Sequence, residues 1–201
     1  MALTDPHAPG ATPLGPEDLE GLKLPATTHG ELNELEAANI AQGQGWALRA
    51  RGTRMPDMLS DKYVQRLHKE MYGEVWTWAG QYRHSNKNIG VTHTTIWTEL
   101  RTVYDDARYW IEHATFPADE VAIRLHHRLV KVHPFPNGNG RHARMIADLT
   151  LLRHFKVQRL PWGGNRLGNS DPRRAEYIGA LRAADANDYR ALLQFCRSSR
   201  R

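Results

Sequence analysis

The chain has 201 residues, 40% hydrophobic and 24% charged, which suffices for one sizeable core and excludes wholesale disorder. Its 27 lysines and arginines against 22 aspartates and glutamates leave a formal net charge of +5, too mild to mark a nucleic-acid-binding protein. No run approaches the roughly 18 consecutive apolar residues of a membrane span, and the N-terminal stretch lacks the basic-then-apolar layout of a signal peptide, so a cytoplasmic protein is expected.

Five of the 11 prolines (Pro6, Pro9, Pro13, Pro16 and Pro25) fall in the first 26 residues, a composition that predicts an extended arm over 1–26. A helical domain is expected over 27–197, followed by a basic tail at 198–201. Thr28-x-x-Glu31 fits a capping box, and Leu32, Leu35 and Ile40 follow at helical spacing, so a helix should run to about Gly43 or Gly45. A second opens at Ser60 and runs to Tyr72, with Leu59, Tyr63, Leu67 and Met71 on one face. The segment from Gly80 to Thr95 has no helical period and is rich in Asn, Gly and Thr, which predicts a loop or short hairpin. Helical periodicity returns from Thr98 to His113, then from Pro117 to just before Pro134, and again from Arg141 to Phe155. Ser170 or Asp171 with Pro172 should open a further helix, and Asn187 should cap the last. The pattern is all-α, with about seven helices and no convincing sheet. Cys196, the single cysteine, excludes an intramolecular disulfide and a multi-cysteine zinc site; among Leu192, Leu193 and Phe195 it reads as packing.

Residues 133–144, HPFPNGNGRHAR, lie between two amphipathic helices and carry the chemistry. Gly138 and Gly140 allow a tight turn, and their N–H groups precede a helix start, where orphan donors and the helix dipole favour an anion. Asn139 can add side-chain donors, while Arg141 and Arg144 project from the first turn to one side. Two cations there oppose the helix dipole, so local stability does not explain them; a polyphosphate would. His133 suits a general base at neutral pH, and Phe135 suits an anchor that packs the loop on the core. A histidine facing an anion nest suggests phosphoryl or nucleotidyl transfer, whereas a bland reading makes the stretch a Pro/Gly-rich helix connection. His126, His127, His133 and His142 are a rival metal cluster, yet they lack the His-x-x-x-His spacing of zinc sites. His126 and His127 read better as a partly buried pair, one of which could orient His133. Trp76 and Trp78 offer either a stacking platform for single-stranded nucleic acid or, more simply, core packing.

The stretch 133–144 resembles the core motif of the Fic (filamentation induced by cAMP) family, His-x-Phe-x-(Asp/Glu)-Gly-Asn-Gly-Arg-x-x-Arg, and matches it everywhere except Asn137. Residues 78–83 and 86–90 resemble the family's lead into its active-site flap, and the likeness covers roughly 28–195. Ala11–Leu14 and the GELNELEAANI stretch are similar to the branch called mobile mystery protein B. The resemblance implies an all-α, Fic-type helical domain with a short β-hairpin flap near the active-site loop. It further implies a protein adenylyltransferase that moves AMP from ATP to a Ser, Thr or Tyr hydroxyl of a target protein.

By this resemblance His133 takes the proton of the target hydroxyl. Gly138, Asn139 and Gly140 hold the α- and β-phosphates, Arg141 pairs with the β-phosphate, and Arg144 reaches the γ-phosphate or an inhibitory glutamate. Flap residues Ile89, Gly90 and Val91 would pair with an extended target segment by strand addition. Asn137 stands where the family uses an acid to bind Mg²⁺; an amide oxygen can still coordinate that ion, but without the charge. The inhibitory pattern (Ser/Thr)-x-x-x-Glu-(Gly/Asn) has two imperfect counterparts, and Glu36 is preferred over Glu31, which already serves as a cap. Two alternatives stand beside the transferase: transfer of another phosphate-containing group, or a nucleotide- or partner-binding module with weak or no turnover. A homodimer is compatible with the apolar helix faces, whereas a membrane partner or a specific nucleic acid is not expected.

Overall fold

The structure, a computed structural model, describes residues 13–49, 55–164 and 173–199. The first twelve residues of the expected arm, the helix-opening candidates Ser170 to Pro172 and the last two arginines lie outside them. Among the described residues nine α-helices follow in order: α1 (Pro16–Leu19), α2 (His29–Arg49), α3 (Met55–Met58), α4 (Asp61–Tyr72), α5 (Ile96–Glu112), α6 (Ala118–Val132), α7 (Asn139–Thr150), α8 (Arg173–Asp185) and α9 (Arg190–Arg197). A π-type turn, Leu151–Phe155, continues α7. No helix among the described residues is long and apolar enough to cross a membrane.

Thr28 Oγ1 accepts the Glu31 N–H at 3.1 Å, and the Glu31 carboxylate accepts the Thr28 N–H at 3.3 Å and the Thr27 N–H at 2.7 Å, so the predicted capping box opens α2. α2 does not stop at its glycines. A Cβ at Gly43 would lie 2.6 Å from Met71 Cα, so this glycine admits the backbone of α4 against α2 rather than ending the helix. Asn187 adopts a left-handed conformation (φ 64°) instead of capping α9; that end is served by Asp188, whose Oδ1 accepts the Arg190 N–H at 3.1 Å.

One buried cluster joins α2, α4, α5, α6 and α7; a second joins α6 and α7 to Trp162, α8 and α9. Trp76 and Trp78 stack at 4.7 Å, and Trp76 is fully buried, so they are core residues rather than an open platform. Their indole N–H groups donate to Glu36 Oε1 and to the Asp18 carbonyl, each at 2.9 Å, the latter tying the helical turn α1 down. Cys196 is fully buried and its thiol is pushed up to about 12 by burial, which makes it inert packing.

The expected β-hairpin flap does not form. Among the described residues there is no strand, and the only bridge, Leu22 with Trp76, is isolated and elsewhere. Hairpin pairing fails because the ladder groups of the flap are spent on its neighbour. Val91 N–H donates to the Val132 carbonyl at 3.3 Å and Arg83 N–H to that of Pro134 at 2.9 Å. The Arg83 guanidinium then collects the Ser85 carbonyl at 2.8 Å and that of Val91. The flap is thus an open coil laid along the end of α6, closed by a 3₁₀ turn at His93–Thr95.

Candidate active site

His133 terminates α6 in the left-handed region (φ 54°, ψ 58°), a costly conformation for a residue with a Cβ and one that recurs at functional sites. Arg83 Nε donates to its carbonyl at 2.7 Å and so holds the bend. Gly90 of the flap crosses directly above. With φ +95°, it would place a Cβ 2.6 Å from His133 Cβ, so only glycine lets the flap cover the histidine. Burial first, then the positive charges of Arg83 and Lys87, lower the His133 imidazole to about 4. It is therefore neutral at pH 7 and able to accept a proton.

After His133 the chain turns through Phe135 and Asn137 into α7. Gly138 is the N-cap, with φ +79°, and the Tyr72 hydroxyl donates to its carbonyl at 3.3 Å. Asn139 shapes this turn rather than reaching outward. Its Oδ1 accepts the Phe135 N–H at 2.9 Å, and its Nδ2 donates to the Phe135 carbonyl at 2.8 Å. Asn137 Oδ1 accepts the Gly138 N–H at 2.7 Å, so the amide oxygen available to a cation already faces a donor of the nest.

His68 supplies support that spacing did not reveal. It accepts the Gly80 N–H on Nδ1 at 3.0 Å and donates from Nε2 to the Asn137 carbonyl at 3.1 Å, while stacking on Phe135 at 3.7 Å. His126 and His127 do not orient His133. The first bonds the Tyr177 hydroxyl at 2.9 Å; the second bonds the Tyr189 hydroxyl at 2.9 Å and Asp185 at 3.1 Å. His142 Nε2 lies 2.9 Å from the Val64 carbonyl. Among the described residues no three His, Cys, Asp or Glu side chains group to hold a metal ion.

Of the two candidate glutamates, Glu31 stays at the cap and Glu36 reaches the site. Glu36 is 1% exposed, and its Oε2 accepts from Arg141 Nη2 at 2.6 Å. Sequence resemblance pointed to Arg144 as the partner; the structure gives Arg141. Burial opposes the Arg141 charge, but the Glu36 carboxylate and the nearby Tyr72 together more than offset it and raise the guanidinium above its ordinary value. Arg144 Nε donates to the Gly140 carbonyl at 3.4 Å. A cavity of about 1710 Å³ opens over this loop, lined by Glu36, Ile89, Gly90, His133, Gly138 and both motif arginines, among others.

Several buried histidines make the fold acid-sensitive. Burial lowers His68, His126 and His127, and brings His133 and His142 to about 4 from 6.5. Between those values the unfolded chain binds protons that the native one refuses, so this stability is fully present above about pH 6.5 and is lost as pH falls toward 4. Each of the last two accounts for on the order of 3 kcal/mol. Asp148, pushed up to about 6 by burial, works in the opposite sense and offsets part of the loss. Thermal melts should give a Tm at pH 5 roughly 5–10 °C below that at pH 7.5; an equal or higher Tm would contradict buried neutral imidazoles.

Fold and loop together define a helical domain in which a buried neutral histidine and a helix N-terminus face one cavity. Residues 58–151, a little under half of the chain, match the Fic/DOC family. It is 28% identical over 148 residues to the protein adenylyltransferase fic-1 of Caenorhabditis elegans, covering 69% of this chain and 27% of the relative. It is also 40% identical over 82 residues to a uridine 5'-monophosphate transferase of Xanthomonas campestris pv. campestris, covering 33% of this chain and 15% of that protein. Among solved structures, a C. elegans Fic-1 aligns with a TM-score of 0.65 at 24% identity, covering 81% of this chain and 48% of the other. BepC of Bartonella tribocorum, solved with AMPPNP, aligns with a TM-score of 0.64 at 15% identity, covering 90% and 92%. The chain spans about a quarter or less of the length of the curated relatives it matches.

Proposed function

We propose that this chain is a protein adenylyltransferase, moving AMP from ATP to a hydroxyl side chain of a target protein. The observation that carries the reading is His133, neutral and buried, lining one cavity with the α7 N-terminus, Arg141 and Arg144. The likeness to the C. elegans adenylyltransferase over 69% of the chain supports it. A target hydroxyl oxygen forms its bond to the α-phosphorus while the bond to pyrophosphate breaks, and the hydroxyl proton passes to the His133 imidazole. The Asn139 and Gly140 backbone, the Gly138 N–H once Asn137 Oδ1 releases it, and the two arginines hold the phosphate oxygens, each strengthened by the low dielectric of the loop. The flap, an open coil, would receive the target segment at Ile89 and Gly90, since both backbone groups of Val91 are committed.

Asn137 fits Mg²⁺ as a single neutral oxygen ligand, with phosphates and water as the remaining donors. When bound, the ion neutralises phosphate charge. Glu36, by occupying Arg141, holds the site in a restrained state until a nucleotide or partner displaces it. The site of action in this reading is the cytoplasm, where ATP is available.

A second reading, transfer of UMP, is favoured by the likeness to the Xanthomonas enzyme. Incubation with ATP or UTP labelled at the α-phosphate, alone and with cell extract, separates them. The proposal expects label from ATP to become covalently attached to protein; label from UTP alone would replace it with the second reading, and label from neither would leave a binding module.

A further inference from the structure

α8 closes over the start of α7. A Cβ at Gly140 would lie 3.9 Å from the Tyr177 hydroxyl, and that hydroxyl is in turn fixed by His126 Nε2 at 2.9 Å. The beginning of α8 is held independently, because Arg173 donates to the Gly163 carbonyl at 2.6 Å and to Ser198 Oγ at 2.7 Å. Arg174 stands three residues before Tyr177, on the same side of the helix, and lines the cavity with Arg141 and Arg144. Burial lowers its guanidinium, the nearby Tyr177 counters this, and the like charges of Arg141 and Arg144 lower it further, so all three cations share one field.

Three arginines from two helices thus line the cavity over the anion nest, and Glu36 bonds one of them. Six basic side chains among the described residues line the cavity against three carboxylates. Gathering like charges in a half-buried site costs free energy that an anionic ligand returns. A monophosphate or diphosphate seated on the α7 N-terminus is already served by the loop and Arg141. An arginine contributed by α8 adds reach beyond the motif helix, where a third phosphate would extend.

We propose that Arg174 is a further phosphate-binding residue that, with Arg144, holds the terminal phosphate of a nucleoside triphosphate and so selects triphosphate over diphosphate. The inference rests on the nucleotide-binding reading above. Its test is calorimetric titration of ATP, ADP and AMP, with Mg²⁺, into the native chain, Arg174→Gln and Arg174→Lys, each also in a Glu36→Gln background that frees Arg141. Arg174→Gln should weaken ATP about tenfold, one decade of Kd, while ADP and AMP change less than twofold; Arg174→Lys should recover part of the loss. Equal weakening of ATP, ADP and AMP, or no weakening of ATP, would overturn the assignment while leaving nucleotide binding in place. Absence of binding by any folded chain would overturn both.

Discussion

A His133→Ala chain should lose AMP transfer by about 10²- to 10⁴-fold, the usual contribution of a positioned general base, while its affinity for ATP changes less than twofold. The separation follows from where the groups sit. His133 ends α6, whereas the phosphate donors begin with the N-terminus of α7, and Asn139 and His68 hold that turn through contacts that do not involve the His133 side chain. Gel detection of labelled protein gives the first quantity and calorimetry the second. Equal labelling by native and variant chains would remove His133 from the chemistry. Loss of both labelling and ATP binding would instead make it a structural residue of the loop.

Replacing Glu36 by glutamine should move stability and binding in opposite directions. The carboxylate is buried against Trp76 and Arg141, and breaking a buried ion pair from one side costs about 3–5 kcal/mol. Arg141 is a third exposed and can turn to water, which reduces the figure to roughly 1–3 kcal/mol. Freed of its partner, Arg141 can meet phosphate, and ATP affinity should rise about tenfold or more, equivalent to roughly 1.4 kcal/mol or more. Thermal melts with and without ATP read both effects: a lower Tm for the free variant, and a larger upward shift on adding ATP than the native chain shows. A lower Tm without tighter binding would make Glu36 a structural brace alone.

Much of this arrangement was legible in the chain because it is local. The capping box at Thr28 needs only side chains three residues apart, and the turn before α7 needs glycine at fixed offsets, so both could be read directly. The alternation of helices likewise follows from apolar spacing. What sequence alone could not show depends on partners far away in the chain. Gly43 looked like a helix stop, yet it is small because Met71 passes beside it. The flap lacks the hairpin its composition suggested because Arg83 gathers its carbonyls onto the end of α6. His68 and Arg174 carried no spacing signal at all; one meets the loop across 69 positions, and the other arrives on a helix beyond residues that no motif connects. Asn139 was read as an outward donor, whereas its side chain closes on the backbone of Phe135.

Calorimetric titration of ATP into the native chain and Asn137→Asp, each with and without Mg²⁺, tests most directly whether a nucleotide phosphate lies on the loop leading into α7. The account predicts that the native chain binds Mg·ATP and that the added carboxylate tightens it by about tenfold, with no such gain when Mg²⁺ is omitted. Failure of both folded chains to bind, or an equal change without the ion, would contradict it.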